Sequence, residues 1–138
     1  MTIRPYLTFN GQCAQAIQLY KEAFSTDTIE MQRFSDMPPI PGFVIPPEFE
    51  SRILQATLKI GDTFIRMSDC GPGHDLNEAY TERVSIAIEA GVEEIKQAFA
   101  TLSKEGTVGI PLEATFYSPC AGVVRDKFGV MWNLVGQE

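Results

Sequence analysis

Hydrophobic and polar positions alternate with two different periods along this chain, and the switches between them mark the elements. Residues 3–9 (Ile-Arg-Pro-Tyr-Leu-Thr-Phe) alternate with the period of two that a half-buried strand requires. From Cys13 the period lengthens: Cys13, Ile17, Tyr20 and Phe24 fall on one helical stripe, with Asn10 placed as the N-cap. Strands are predicted near residues 28–34, 52–60 and 63–69, the last two joined by Gly61-Asp62. Between them, residues 35–51 carry Pro38, Pro39, Pro41, Pro46 and Pro47, which exclude regular helix and central strand. The same segment carries Met37, Ile40, Phe43, Val44, Ile45 and Phe49, which predicts a flap folded back over something rather than a solvated linker.

Residues 70–81 read as a loop, after which the pattern repeats. Arg83 to Glu89 alternate as a strand, with Val84, Ile86 and Ile88 on the core side. A helix is predicted over about 92–104, with Val92, Ile95, Phe99 and Leu102 on one face and Gly106 as its C-cap. Strands near 107–115, 118–125 and 130–136 complete the chain. The order is β-α-β-β-β, twice, in one expected domain over 1–138 with modules at about 1–69 and 83–138. The last two strands flank Asp126-Lys-Phe-Gly129, where Asp opens a turn and Gly takes the positive φ that closes it.

The run Asp126-Lys-Phe-Gly-Val-Met-Trp132 resembles the PhnB-like branch of the vicinal oxygen chelate (glyoxalase/bleomycin-resistance) superfamily. Four further stretches are similar to that pattern: Pro5 to Tyr20, Leu54 to Asp62, Arg66-Met-Ser-Asp69, and Pro111 to Tyr117. The resemblance covers most of the chain outside the Pro-rich segment. It implies an α+β fold in which two βαβββ modules build a curved eight-stranded mixed sheet. Both helices then lie on the convex face, and the concave face lines a cleft. It also implies a homodimer, because family members commonly close the cleft with a second chain.

Strand alternation sorts the side chains of such a cleft. Leu7, Phe9, Leu54, Ala56, Leu58, Ile60, Ile65, Met67 and Trp132 suit the core. Tyr6, Thr8, Ile53, Gln55, Thr57, Lys59, Phe64, Arg66, Ser68, Ser85, Met131 and Asn133 then face the other way. Superfamily metal sites use His, Gln or Glu at such positions. The resemblance puts Thr8, Ser85 and Asn133 at three of them, with the fourth on or beside Arg66–Ser68; metal-using members have Glu where this chain has Asn133. Hydroxyls and a carboxamide are poor ligands for a borderline divalent ion, and an arginine opposes a cation, so no metal and no cofactor are expected.

Composition narrows the classes further. The chain has 138 residues, 44% hydrophobic and 21% charged, with a net charge of −7. The acidic balance argues against a nucleic-acid partner, and no apolar run is long enough to span a bilayer. The N-terminus shows no secretory pattern. Cys13, Cys70 and Cys120 are odd in number and unpaired in spacing, which suits reduced thiols in a cytoplasm. No Gly-rich βα turn followed by an acidic residue is present to hold a methyl donor.

The expected role is therefore metal-independent binding of a small anionic or amphipathic molecule. Arg66 offers a fork for a carboxylate or phosphonate, with Tyr6, Thr8, Gln55, Phe64, Ser68, Ser85, Tyr117, Met131 and Asn133 around it and residues 35–51 as lid. Two other classes stay open: a metal-dependent lyase, isomerase or dioxygenase, and a dimeric scaffold without ligand. Catalytic residues are not assigned. Glu113 and Asp69 are candidate bases, although Asp69 also suits turn capping, and His74 reads as an exposed loop residue. Phe116 and Tyr117 are expected in the core before a cleft wall.

Overall fold

The structure is a computed structural model that describes residues 1–74, 76 and 84–138. Its elements run β1 (Tyr6–Phe9), α1 (Cys13–Phe24), β2 (Thr28–Arg33), β3 (Ile53–Ile60), β4 (Thr63–Asp69), β5 (Ile86–Gly91), α2 (Val92–Leu102), β6 (Thr107–Glu113), β7 (Cys120–Arg125) and β8 (Met131–Gln137). This is βαβββ twice, the α+β architecture of the glyoxalase/bleomycin-resistance fold. Arg83 and the expected loop residues 75 and 77–81 lie outside the described residues.

The described strands hydrogen-bond as two sheets of four rather than as one ladder of eight. The orders are β1-β4-β3-β2 and β5-β8-β7-β6, so each sheet pairs its first strand parallel to its fourth. The remaining pairs are antiparallel. The parallel pairing follows from the helix, which returns the chain in the same direction before the hairpin strands are laid down.

The chain divides into two compact units: residues 1–21 with 26–77, and residues 22–25 with 78–138. In the first, Phe9, Ala56, Leu58, Ile65 and Met67 are buried, as is the α1 stripe Cys13, Ile17 and Tyr20. Asn10 does not cap this helix. The Asp69 carboxylate does, accepting from the Gly11 and Cys13 backbone N–H groups at 2.8 and 2.9 Å. Asn10 instead accepts from Arg52 and Cys70. Ile53, expected on the cleft side, is fully buried, and its N–H donates to the other Asp69 oxygen at 2.9 Å. A carboxylate at a strand end thus ties α1 and β3 to β4, which leaves it saturated rather than poised as a base.

In the second unit α2 packs on β5, β7 and β8, burying Ile95, Ala98 and Leu102 with Val124, Trp132 and Leu134. Trp132 lies 5.1 Å from the Phe24 ring, centroid to centroid. The helix ends at Leu102, with Ser103 as the cap and Glu105 in the left-handed region at φ 56°. Gly106 is therefore not the C-cap. Its reason is space: a Cβ there would lie 2.5 Å from the Arg125 carbonyl oxygen. Val84, expected in the core, precedes β5 and is exposed.

The closing hairpin owes its shape to Asp126, which is 3% exposed. One carboxylate oxygen accepts from the Phe128 and Val130 backbone N–H groups at 2.9 and 3.1 Å. The other accepts from the Trp132 indole N–H at 2.9 Å. Gly129 supplies a φ of 93°, and its N–H returns to the Asp126 carbonyl. The Asp-x-Phe-Gly-x-x-Trp pattern is one hydrogen-bonded unit.

Candidate functional site

Strand register sets out the open face of the first sheet in rows. Tyr6 pairs with Arg66, and Arg66 with Thr57; Thr8 pairs with Ser68; Lys59 pairs with Phe64. On the edge strand, Glu30 pairs with Thr57 and Gln32 with Gln55. On β3 and β4 these residues alternate with buried neighbours such as Ile65, Met67, Ala56 and Leu58, and the register carries their face across to Tyr6 and Thr8 on β1 and to Glu30 and Gln32 on β2. Six of the residues expected at a cleft therefore meet on one surface of the first unit: Tyr6, Thr8, Gln55, Phe64, Arg66 and Ser68.

Arg66 lies at its centre, half-buried. Its Nη2 donates to the Gln55 amide oxygen at 3.2 Å, and the Gln55 amide nitrogen donates to the Gln32 amide oxygen at 2.8 Å. Its guanidinium carbon is 5.9 Å from the Tyr6 ring centroid, and the Tyr6 hydroxyl donates to Ser68 Oγ at 3.0 Å. The Arg66 Nε is buried with no hydrogen-bond partner in the structure. Among the described residues no carboxylate stands within 4.0 Å of the guanidinium. A cation held this way is oriented by neutral groups and still lacks a counter-charge.

In the second unit, Asn133 pairs with Ala87 and Val123, and its amide donates to Ser85 Oγ at 2.7 Å. Met131 is half-buried and pairs with Arg125. Tyr117 stands in the turn between β6 and β7. There Thr115 Oγ1 accepts from the Tyr117 and Ser118 N–H groups at 3.3 and 3.1 Å. That turn projects Phe116 and Tyr117 outward in an edge-to-face pair, 100% and 62% exposed, so the expectation of core packing for them is overturned.

Of the positions where the resemblance would put metal ligands, the first unit carries Thr8 and Arg66–Ser68, and the second carries Ser85 and Asn133. As ligands these supply hydroxyls and one carboxamide, and two of them already hydrogen-bond each other. Among the described residues no three His, Cys, Asp or Glu side chains gather as a metal-holding group. The donor set does not fit a divalent ion.

The remaining candidates have structural roles or none. Burial first, and the Asp69 charge second, push the Cys13 thiol from 9.0 up to about 12. Cys120 is buried and its N–H donates to Ser118 Oγ. His74 and Glu113 are exposed. In residues 35–51 a small bridge joins Ile40 to Phe43, yet Ile40, Phe43 and Val44 stay exposed. Phe49 of the same segment is half-buried, with the Arg52 guanidinium 4.3 Å over its ring. Alternation had already put Thr57 and Lys59 on the open face; Glu30 and Gln32 were missed because no face was assigned to β2, and Arg4, inside the strand predicted over residues 3–9, because the face was followed only from Tyr6 onward.

Comparison with known proteins places the chain among relatives. The family model described as 3-demethylubiquinone-9 3-methyltransferase matches residues 1–135. Protein YjdN of Escherichia coli K12 is 30% identical, with 100% of this chain and 98% of that protein covered. Protein PA1353 of Pseudomonas aeruginosa is 28% identical with a TM-score of 0.85, covering 99% of this chain and 98% of the other. A PhnB protein of Bacillus cereus shares the fold at 24% identity and a TM-score of 0.79, covering 99% and 100%.

Proposed function

This chain belongs to the 3-demethylubiquinone-9 3-methyltransferase family, a PhnB-like member of the vicinal oxygen chelate superfamily, and we propose that it binds a small anionic or amphipathic molecule without a metal. Arg66 carries this reading. It is a half-buried guanidinium with an unpartnered Nε, steered by Gln55 and Tyr6 and lacking a counter-charge among the described residues. A fork so placed is matched to a carboxylate or phosphonate, and charge-assisted pairs of that kind are about twice as strong as neutral ones. Ser68, Thr8 and the Gln55–Gln32 amides supply orienting polar groups around it. Ser85 and Asn133 are assigned to ligand contact rather than metal ligation, because their donor chemistry suits hydrogen bonding. A homodimer and a cytoplasmic setting are part of the proposal. The exposed Phe116–Tyr117 pair and the three free thiols support them.

Calorimetric titration with hexanoate, set against neutral hexanol, tests the anion. Hexanoate is expected to bind more tightly than hexanol, and Arg66→Ala to weaken hexanoate by at least about tenfold. Hexanoate affinity unchanged by Arg66→Ala removes the arginine from the reading. Elemental analysis of protein purified without chelators tests the other half: stoichiometric zinc, nickel, manganese or iron overturns metal independence.

A further inference from the structure

The open face of the first sheet carries more positive charge than one arginine. In the row beside Arg66, the Arg4 guanidinium lies 5.0 Å from the Phe64 ring centroid and the Lys59 ammonium 5.7 Å from it. Phe64 is thus a floor with a cation on either side, just as Tyr6 underlies Arg66. Neither Arg4 nor Lys59 has a carboxylate within 4.0 Å among the described residues. In a chain of net charge −7, three cations without acidic partners on one face are not accounted for by solubility. The acid on that face is Glu30, at the far end of the Arg66 row, where it accepts from Thr57 Oγ1 at 3.2 Å. The face is therefore polarised, positive around Phe64 and Arg66 on β4 and negative at Glu30 on the β2 edge.

We infer that this face takes an organic dianion, one anionic group on Arg66 and a second between Arg4 and Lys59. The inference rests on the anion reading of Arg66 and specifies its ligand. Phe64 and Arg66 are two residues apart on β4, which sets the rows roughly 7 Å apart. The two anionic groups must span about that distance, with the connecting apolar segment lying over the Tyr6 and Phe64 rings. A monoanion uses half of the site, and a short dianion cannot reach both rows.

Calorimetry with succinate, adipate and hexanoate at low ionic strength tests this on the full chain. Extended adipate comes close to the span, succinate falls short, and hexanoate has one charge. Adipate is expected to bind about five- to tenfold more tightly than hexanoate, since exposed charge pairs contribute modestly and are screened by salt. Arg4→Gln and Lys59→Gln together should reduce adipate to the level that hexanoate shows in the same variant, removing the advantage of the second charge. Arg66→Ala should weaken both. Adipate and hexanoate binding equally, with both still dependent on Arg66, overturns the dianion while the simpler anion site survives. Succinate binding as tightly as adipate also overturns the spacing. Loss of Arg66 dependence for every probe overturns both readings together.

Discussion

Replacing Asp126 probes whether the closing hairpin is held by one buried carboxylate. It accepts from the Phe128 and Val130 N–H groups on one oxygen and from the Trp132 indole on the other. Hydrogen bonds to a charged group contribute about 1.5–3 kcal/mol, and a buried donor left unpaired costs about 1–3 kcal/mol. The two backbone donors are part-buried and can recover water, so about 0.5–1 kcal/mol each is assigned to them. The indole is fully buried and cannot, so its loss counts at about 2–3 kcal/mol. Asp126→Ala is therefore expected to cost about 3–5 kcal/mol. Asp126→Asn keeps an oxygen toward the turn but turns an amide N–H toward the indole, for about 2–3 kcal/mol.

Urea unfolding followed by far-UV circular dichroism measures this in every variant, and Trp132, the only tryptophan, adds a fluorescence probe where it is kept. Trp132→Phe removes the indole donor, and a double-mutant cycle with Asp126→Asn isolates the pair, with a coupling of about 2 kcal/mol expected. The reasoning fails if Asp126→Asn stays within about 0.5 kcal/mol of wild type, or if the cycle shows no coupling.

Two further outcomes follow from the first unit. Asp69→Asn keeps the Gly11 and Cys13 bonds on its oxygen but opposes the Ile53 N–H with an amide N–H, so stability should drop by about 2 kcal/mol with faster exchange of the Ile53 amide; unchanged urea midpoint and exchange would return Asp69 to the list of candidate bases. The raised Cys13 pKa means that the folded state keeps a proton the unfolded chain loses. Its contribution is complete below about pH 9 and declines as pH rises toward about 12. Urea midpoints of wild type should fall more steeply over that window than those of Cys13→Ala, and parallel profiles would contradict the burial account.

What was legible in the sequence was whatever repeats locally. Periods of two and near three and a half separate strands from helices within a few residues, so the βαβββ order and the buried sides of β4 and β8 follow from pattern alone, whereas β3 departs from it at Ile53. Ile65 and Met67 read as core because they alternate, and that places Arg66 on the open face. What was not legible depended on partners far along the chain. Asp69 caps a helix 56 residues away, and Asn10, next to that helix, is occupied elsewhere. Gly106 looks like a helix stop, yet the contact that demands glycine is the Arg125 carbonyl. Phe116 and Tyr117 look like core by type, and a turn knit by Thr115 points them outward.

The family match and the proposed chemistry reside on opposite sides of the same strands. On β8, Trp132 and Leu134 are buried and the indole is fixed by Asp126, while Asn133 between them bonds Ser85. On β4, Ile65 and Met67 are buried, while Arg66 and Ser68 between them face Gln55 and Tyr6. Substituting a residue of the first set breaks packing or a buried hydrogen bond, so any chain with this fold must meet that constraint. The second set is less constrained by packing, since Arg66 and Asn133 are only half-buried. Resemblance along the chain thus speaks for the buried set, and a metal-holding Glu or a hydrogen-bonding Asn at position 133 is compatible with the same fold. Function here has to be read from the open-face residues themselves, and the proposal of an anionic ligand rests on the chemistry of their cations, amides and hydroxyls.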